Sequence, residues 1–178
     1  MLLALLAAPA RAQDLAAIAR GQSASAVLGA WCSAHGLGPL LAHRERGPPS
    51  ASKQVRRLLR AQPNERIAHR RVSLGCGGKV LSRAENWYLP SRLTPEMNRV
   101  LVRGETPFGE VVRPLGFHRT TISLAHRRIR AILTGTDGRP FSYVVEDYAP
   151  GASDVSPRTA VRVFPDWRGR PPPDWVRR

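Results

Sequence analysis

Two charged side chains stand where the local pattern places apolar neighbours. Arg70 lies in the alternating stretch His69-Arg70-Arg71-Val72-Ser73-Leu74, on the same side as Val72 and Leu74. If that side is the core, a guanidinium rests against apolar surface. An unpaired buried charge is costly, so Arg70 would want an anion, and its fork matches a carboxylate. Three readings are open: a carboxylate clamp in a pocket, a pair with Glu85 across a hairpin, or a register one residue off that exposes it. Glu146 is the mirror case, sharing a strand side with Ser142, Val144 and Tyr148. It could be a buried acceptor, a proton donor, a solvated edge residue or the partner of one of the many arginines. Gly104-Glu105-Thr106-Pro107-Phe108-Gly109 offers backbone N–H groups near a helix start, either for an anionic ligand or as an ordinary connection.

Other chemistries lack their residues. Cys32 and Cys76 form no CxxC, and the five histidines show no HxH or HExxH spacing, so no metal is expected. No Ser-His-Asp or Cys-His arrangement assembles with any specificity. Gly77-Gly78-Lys79 is not a phosphate loop, because no helix follows. The two cysteines are a disulfide candidate in an exported chain and two buried thiols in a cytoplasmic one. Bonded, they would close a loop worth roughly 3–4 kcal/mol in the chain-entropy model.

These residues need elements to position them. Ser23–His35 is a predicted helix, with Val27, Leu28, Trp31 and Cys32 on one face and Gly36 as its stop. His43–Ser52 reads as a loop, and Lys53–Arg60 as one or two helical turns. His69–Leu74 and Lys79–Tyr88 form a hairpin through Gly75–Gly78. Thr94-Pro95 starts a helix carrying Met97, Val100 and Leu101, and Thr106-Pro107 repeats the signal for a short helix to about Arg113. Arg119–Leu124, Arg127–Leu133 and Phe141–Tyr148 are strands, the last two joined at Thr136-Asp137-Gly138. Hairpin-joined strands give an antiparallel sheet, and the helices between them must cover a face of it. The class is α+β.

Composition bounds the rest. A chain of 178 residues, 42% hydrophobic, suits one domain with one sizeable core. The net charge is +15, and 26 of the 28 basic residues are arginine, scattered through every segment. Aromatics are 6% and do not interleave with a basic stripe, so nucleic acid is not the favoured partner and a small anionic ligand is. Residues 1–12, MLLALLAAPARA, read as a truncated signal peptide cleaved after Ala12, which implies a periplasmic or secreted protein; otherwise the chain is cytoplasmic. Residues 13–150 are the single domain. Residues 151–178 are a Pro/Arg-rich tail, with Pro-Asp-Trp at 165–167 and 173–175.

In order and spacing, HRRVSL, LTPEMN, RGETPFG and RIRAILTGTDGRPFSYVVEDYAP resemble the chorismate pyruvate-lyase family over residues 66 to 150. The resemblance implies a six-stranded antiparallel sheet with helices over one face. It places Arg70 on a ligand carboxylate, the Arg103-Gly104 backbone beside it, and Glu146 on a ring hydroxyl. The implied reaction turns chorismate into 4-hydroxybenzoate and pyruvate without metal or cofactor, Arg70 and Glu146 being the catalytic pair. The same fold serves effector-binding domains of transcription regulators, but the first 60 residues show no helix-turn-helix. The alternative is a non-catalytic, exported binding protein for a small aromatic or cyclic carboxylate on the same fold.

Overall fold

A computed structural model of the chain describes residues 11–46 and 51–149, with side chains described from Leu15 onward. The predicted leader falls outside this range except for its last two positions, and the predicted tail falls wholly outside it.

Six strands form one antiparallel sheet: β1 (Leu41–Arg44), β2 (Ala68–Cys76), β3 (Lys79–Tyr88), β4 (His118–Ala125), β5 (Arg128–Thr134) and β6 (Pro140–Tyr148). Their order is β1-β2-β3-β6-β5-β4, so the strand carrying Glu146 is central rather than an edge. Gly77 and Gly78 take φ of +54° and +75°, the left-handed pair that a tight hairpin between right-twisted strands requires. Gly138, at +74°, closes the β5–β6 turn.

Among the described residues five α-helices accompany the sheet: α1 (Arg11–Ala19), α2 (Ala24–Ala34), α3 (Lys53–Leu58), α4 (Pro95–Arg103) and α5 (Phe108–Val111). The start of α4 is set by chemistry visible in the sequence. The Thr94 side chain accepts from Met97 N at 3.2 Å, Pro95 opens the helix, Glu96 lies in the first turn and Arg103 in the last. Buried Leu15, Ile18, Leu28 and Cys32 seat α1 and α2 on Val72, Leu74, Ala84 and Ile129 of the sheet. Met97, Leu101 and Phe108 seat α4 and α5 on the same sheet face, against Tyr88, Ala131, Leu133 and Val144. That shared face is the inner face. Leu15 and Ile18 are fully buried, so α1 is part of the packed domain.

Cys32 and Cys76 are joined in a disulfide, with Cα atoms 6.1 Å apart. It ties the last turn of α2 to the end of β2.

Several expectations are corrected. His43–Ser52 is not all loop: His43 and Arg44 end the edge strand Leu41–Arg44, which pairs with Val72–Gly75. Its four residues are too few to show alternation. The β2 strand continues through Cys76, so the turn is two glycines rather than four residues. The second short helix begins at Phe108 with Pro107 as its cap, not at Pro107 under Thr106. Finally, α3 lies on the outer face, where Val55 and Leu59 pack against Tyr143 and Leu89.

The loop after α3 is held by two arginines, Arg56, which donates to the carbonyls of Gln62, Pro63 and Glu65, and Arg92. Arg92 pairs with Glu65 at 2.8 Å and donates to the carbonyls of Leu59, Arg60 and Pro140. Burial raises the Glu65 carboxyl, but hydrogen bonds from Ser91, Arg92 and the Gln62 N–H, with the Arg92 charge, outweigh it and bring it to about 2. A depressed carboxylate stabilises the fold above its ordinary value of 4.5 and loses that contribution as pH falls through about 2. Glu65→Gln should therefore flatten the stability loss between these limits and lower stability at pH 7 by about 3 kcal/mol, since Arg92 is left buried and unpaired. Urea unfolding of both proteins at pH 7 and pH 3 measures this.

Candidate functional site

The inner face is not uniformly apolar. Alternation along β2, β3, β6 and β4 places Arg70, Asn86, Ser82, Ser142, Glu146 and Thr121 inside, all buried. The Arg119 side chain joins them, only 3% exposed.

Arg70 is 1% exposed, among the most deeply buried large side chains described. Neither of the alternatives that would make it ordinary is realised. Glu85 points to the outer face, where it takes Arg71 and His69 as partners. The register holds Arg70 opposite Asn86 and Arg71 opposite Glu85. Arg70 donates instead to two carbonyls, Gly104 O at 3.0 Å and Thr106 O at 3.1 Å. Its Nε and second terminal nitrogen have no partner among the described residues. Burial, then the nearby Arg44 charge, lower its pKa to about 10, with Tyr88 acting in the opposite sense. The side chain stays cationic at neutral pH and meets no carboxylate among the described residues.

Of the two readings of the 104–109 segment, the structure fits the connection between α4 and α5, and the segment presents carbonyls to a cation. The Gly104 N–H is engaged by Val100 O at 2.7 Å, and Glu105 O accepts from Ala42 N. Arg103 is exposed in the last turn of α4. Of the implied Arg103-Gly104 contact, the structure shows the Gly104 carbonyl on Arg70.

Glu146 is engaged by two neighbouring side chains. Arg119 donates to it at 2.5 Å and Tyr148 Oη at 2.9 Å, with all three side chains enclosed. Burial works against the Arg119 charge, but Glu146 beside it more than compensates and its pKa is raised. Burial, then the adjacent carboxylate, push Tyr148 well above its ordinary value, so its hydroxyl remains a donor.

Between this belt and the helices lies a cavity of about 30 Å³, walled by Val72, Asn86, Phe108, Arg119, Val144 and Glu146 among others. That is room for one or two waters. Asn86 Oδ1 and Arg119 Nε, one acceptor and one donor on its wall, have no partner among the described residues. A second, wider groove of about 490 Å³ lies outside it between α2 and α5, with Ala26, Gly29, Arg113 and Phe117 in its walls.

Sequence reasoning singled out Arg70 and Glu146 but missed Arg119 and Asn86. Arg119 opens a recognised strand and shares its side with Thr121. Its link to Glu146 crosses from β4 over β5 to β6, which no local spacing encodes.

No family model matches the chain. It is 36% identical over 169 aligned positions to the uncharacterized protein y4mC of Sinorhizobium fredii (strain NBRC 101917 / NGR234), covering 74% of this chain and 70% of y4mC. Among solved structures, PhnF of Mycobacterium smegmatis superposes with a TM-score of 0.55 at 10% identity, covering 76% of this chain and 67% of PhnF. The effector domain of PhnF alone gives 0.51 at 10% identity, covering 68% of this chain and 86% of that domain. YydK, a possible transcriptional regulator from Bacillus subtilis subsp. subtilis str. 168, gives 0.45 at 16% identity over 68% of this chain, which spans less than two thirds, 63%, of it. The PhnF likenesses establish the fold: the α+β, chorismate lyase-like architecture with a six-stranded antiparallel sheet.

The Arg119–Glu146 pair makes a direct prediction. Arg119→Met alone strands a buried carboxylate and should cost about 3–5 kcal/mol. Adding Glu146→Gln should restore most of it. A double-mutant cycle from urea unfolding reads the coupling.

Proposed function

The chain belongs to the family of the Sinorhizobium fredii protein y4mC, and we propose that it is a binding domain for a small organic acid, in which Arg70 takes the carboxylate. The observation that carries this reading is Arg70 itself, a fully buried guanidinium with two unpartnered nitrogens and no ion pair among the described residues. Among the described residues the inner face buries Arg70 and Arg119 against Glu146, an excess of one positive charge that a monoanion would balance. Asn86, directly across the β2–β3 ladder from Arg70, reaches the cavity wall. A hydroxyl there could donate to Asn86 Oδ1 and accept from Arg119 Nε. Phe108, Phe117, Leu133 and Val144 give that cavity apolar walls, and a ring would enter it only if it widened beyond its volume of about 30 Å³.

Binding is better supported than lyase turnover. A carboxylate already holding Arg119 and Tyr148 is acceptor-only and poorly placed to give a proton to a departing enolpyruvyl group. That this fold forms the effector domain of PhnF is consistent with binding. The disulfide supports folding outside a reducing cytoplasm.

Calorimetric titration with 4-hydroxybenzoate, alongside a pyruvate assay with chorismate, tests the reading. The expected result is one-to-one binding, no pyruvate, and a tenfold to hundredfold loss of affinity in Arg70→Met. Absence of binding overturns the proposal, and stoichiometric pyruvate replaces it with the lyase.

A further inference from the structure

The cavity and the outer groove share Ser23, Ser25, Gly109 and Phe117 in their walls. On one side lies space for an organic molecule. On the other are the orphaned polar atoms, in a space that holds water at most. The partition is where the start of α2 crosses the start of α5, and it is built without bulk. A Cβ on Gly109 would stand 2.8 Å from Ser25 Oγ, 2.9 Å from Ser23 Oγ and 3.3 Å from Ser25 Cβ. The closure therefore brings serine hydroxyls against bare backbone.

The two ends of α2 are held unequally. At its start Ser23 makes no side-chain capping bond. The buried side chains there are Ala24 and Ser25, which contribute little apolar area. The chain enters through Gly21 at φ +108°, a conformation open to glycine and to few other residues. Toward its other end, Leu28 and Cys32 are in the core and Cys32 is covalently bound to Cys76. A helix anchored at one end, lightly seated at the other and preceded by a glycine can lift at the light end.

We infer that the first turn of α2, Ala24–Val27, is a gate between the outer groove and the inner cavity, moving about Gly21 and restrained by the Cys32–Cys76 bond. It rests on the reading of the inner cavity as the place of the ligand's polar end. A ligand docks in the groove, and lifting of the turn widens the cavity and admits the ligand to Asn86 and Arg119, and so to Arg70 across the ladder from Asn86.

Ala84 lines the cavity and is 4% exposed, so a thiol placed there reports on opening without any ligand. In full-length Ala84→Cys with the native disulfide intact, a small thiol reagent should react at a rate unchanged by urea below the unfolding transition. Adding Ser25→Cys and Gly109→Cys brings two Cβ atoms to about the separation a disulfide needs. Once bonded, they should slow labelling at least tenfold and abolish 4-hydroxybenzoate binding. Gly109→Ala, which pushes the serines off α5, should speed labelling severalfold and covers the case in which the engineered bond does not form. Labelling that climbs with urea in step with global unfolding overturns the gate. So does labelling indifferent to both the bond and Gly109→Ala. If the wild type binds no 4-hydroxybenzoate, the ligand reading fails while labelling still decides the gate.

Discussion

Arg119 and Glu146 meet under the helical layer at 2.5 Å, with Tyr148 completing the carboxylate's partners. A charge taken out of water must find its counterpart close by, or the fold loses several kcal/mol. This requirement fixes much around it. The register between β5 and β6 sets Glu146 opposite Ile129, and β4 must lie near enough for Arg119 to reach across. The Arg119 and Tyr148 side chains must stay dry for the pair to hold. That dryness is supplied by the helices, and α1 and α2 are kept in place by apolar contacts and one disulfide.

Arg70 shows the opposite arrangement on the same face. Two backbone carbonyls receive one of its terminal nitrogens, which positions the guanidinium but does not neutralise it. One arginine is thus compensated within the protein, and the other is left for something outside it. On the outer face the carboxylates of the ladder have cationic partners in the open: Glu85 is shared between Arg71 and His69, and Asp147 is paired with Arg128. Positive charge is spread over the whole chain, but among the described residues Arg70 is the one where it is both buried and uncompensated.

Much of the fold was legible because its signals are local. Alternation in 69–74 and 142–148 put Arg70 beside Val72 and Leu74 and Glu146 beside Val144 and Tyr148, and the side so shared is the buried one. Thr94-Pro95 marked a helix start, and the Thr94 hydroxyl caps it. What was not legible depended on partners distant in sequence. The β1 strand exists because β2 offers it an edge, and α3 turns to the outer face because Tyr143 and Leu89 receive it there. The Gly104–Gly109 segment read either as a source of amides or as an ordinary connection. Which of its groups point inward depends on how α4 docks, and docking turned the carbonyls of Gly104 and Thr106 to Arg70.

By itself the sequence determined the class of the fold, the sides of the strands and the identity of two unusual charges, because periodicity and capping act over a few residues. It also specified a cysteine pair, though not whether the pair is bonded. The tertiary structure decided which charge has a partner. Glu85 and Arg70 are close enough in sequence to suggest a pair, yet a one-residue offset in the β2–β3 ladder sends them to opposite faces. Arg119 and Glu146 are 27 residues apart and become one unit. Electrostatic partnership is a matter of a few ångströms, and those distances are set only when strands from different parts of the chain lie side by side.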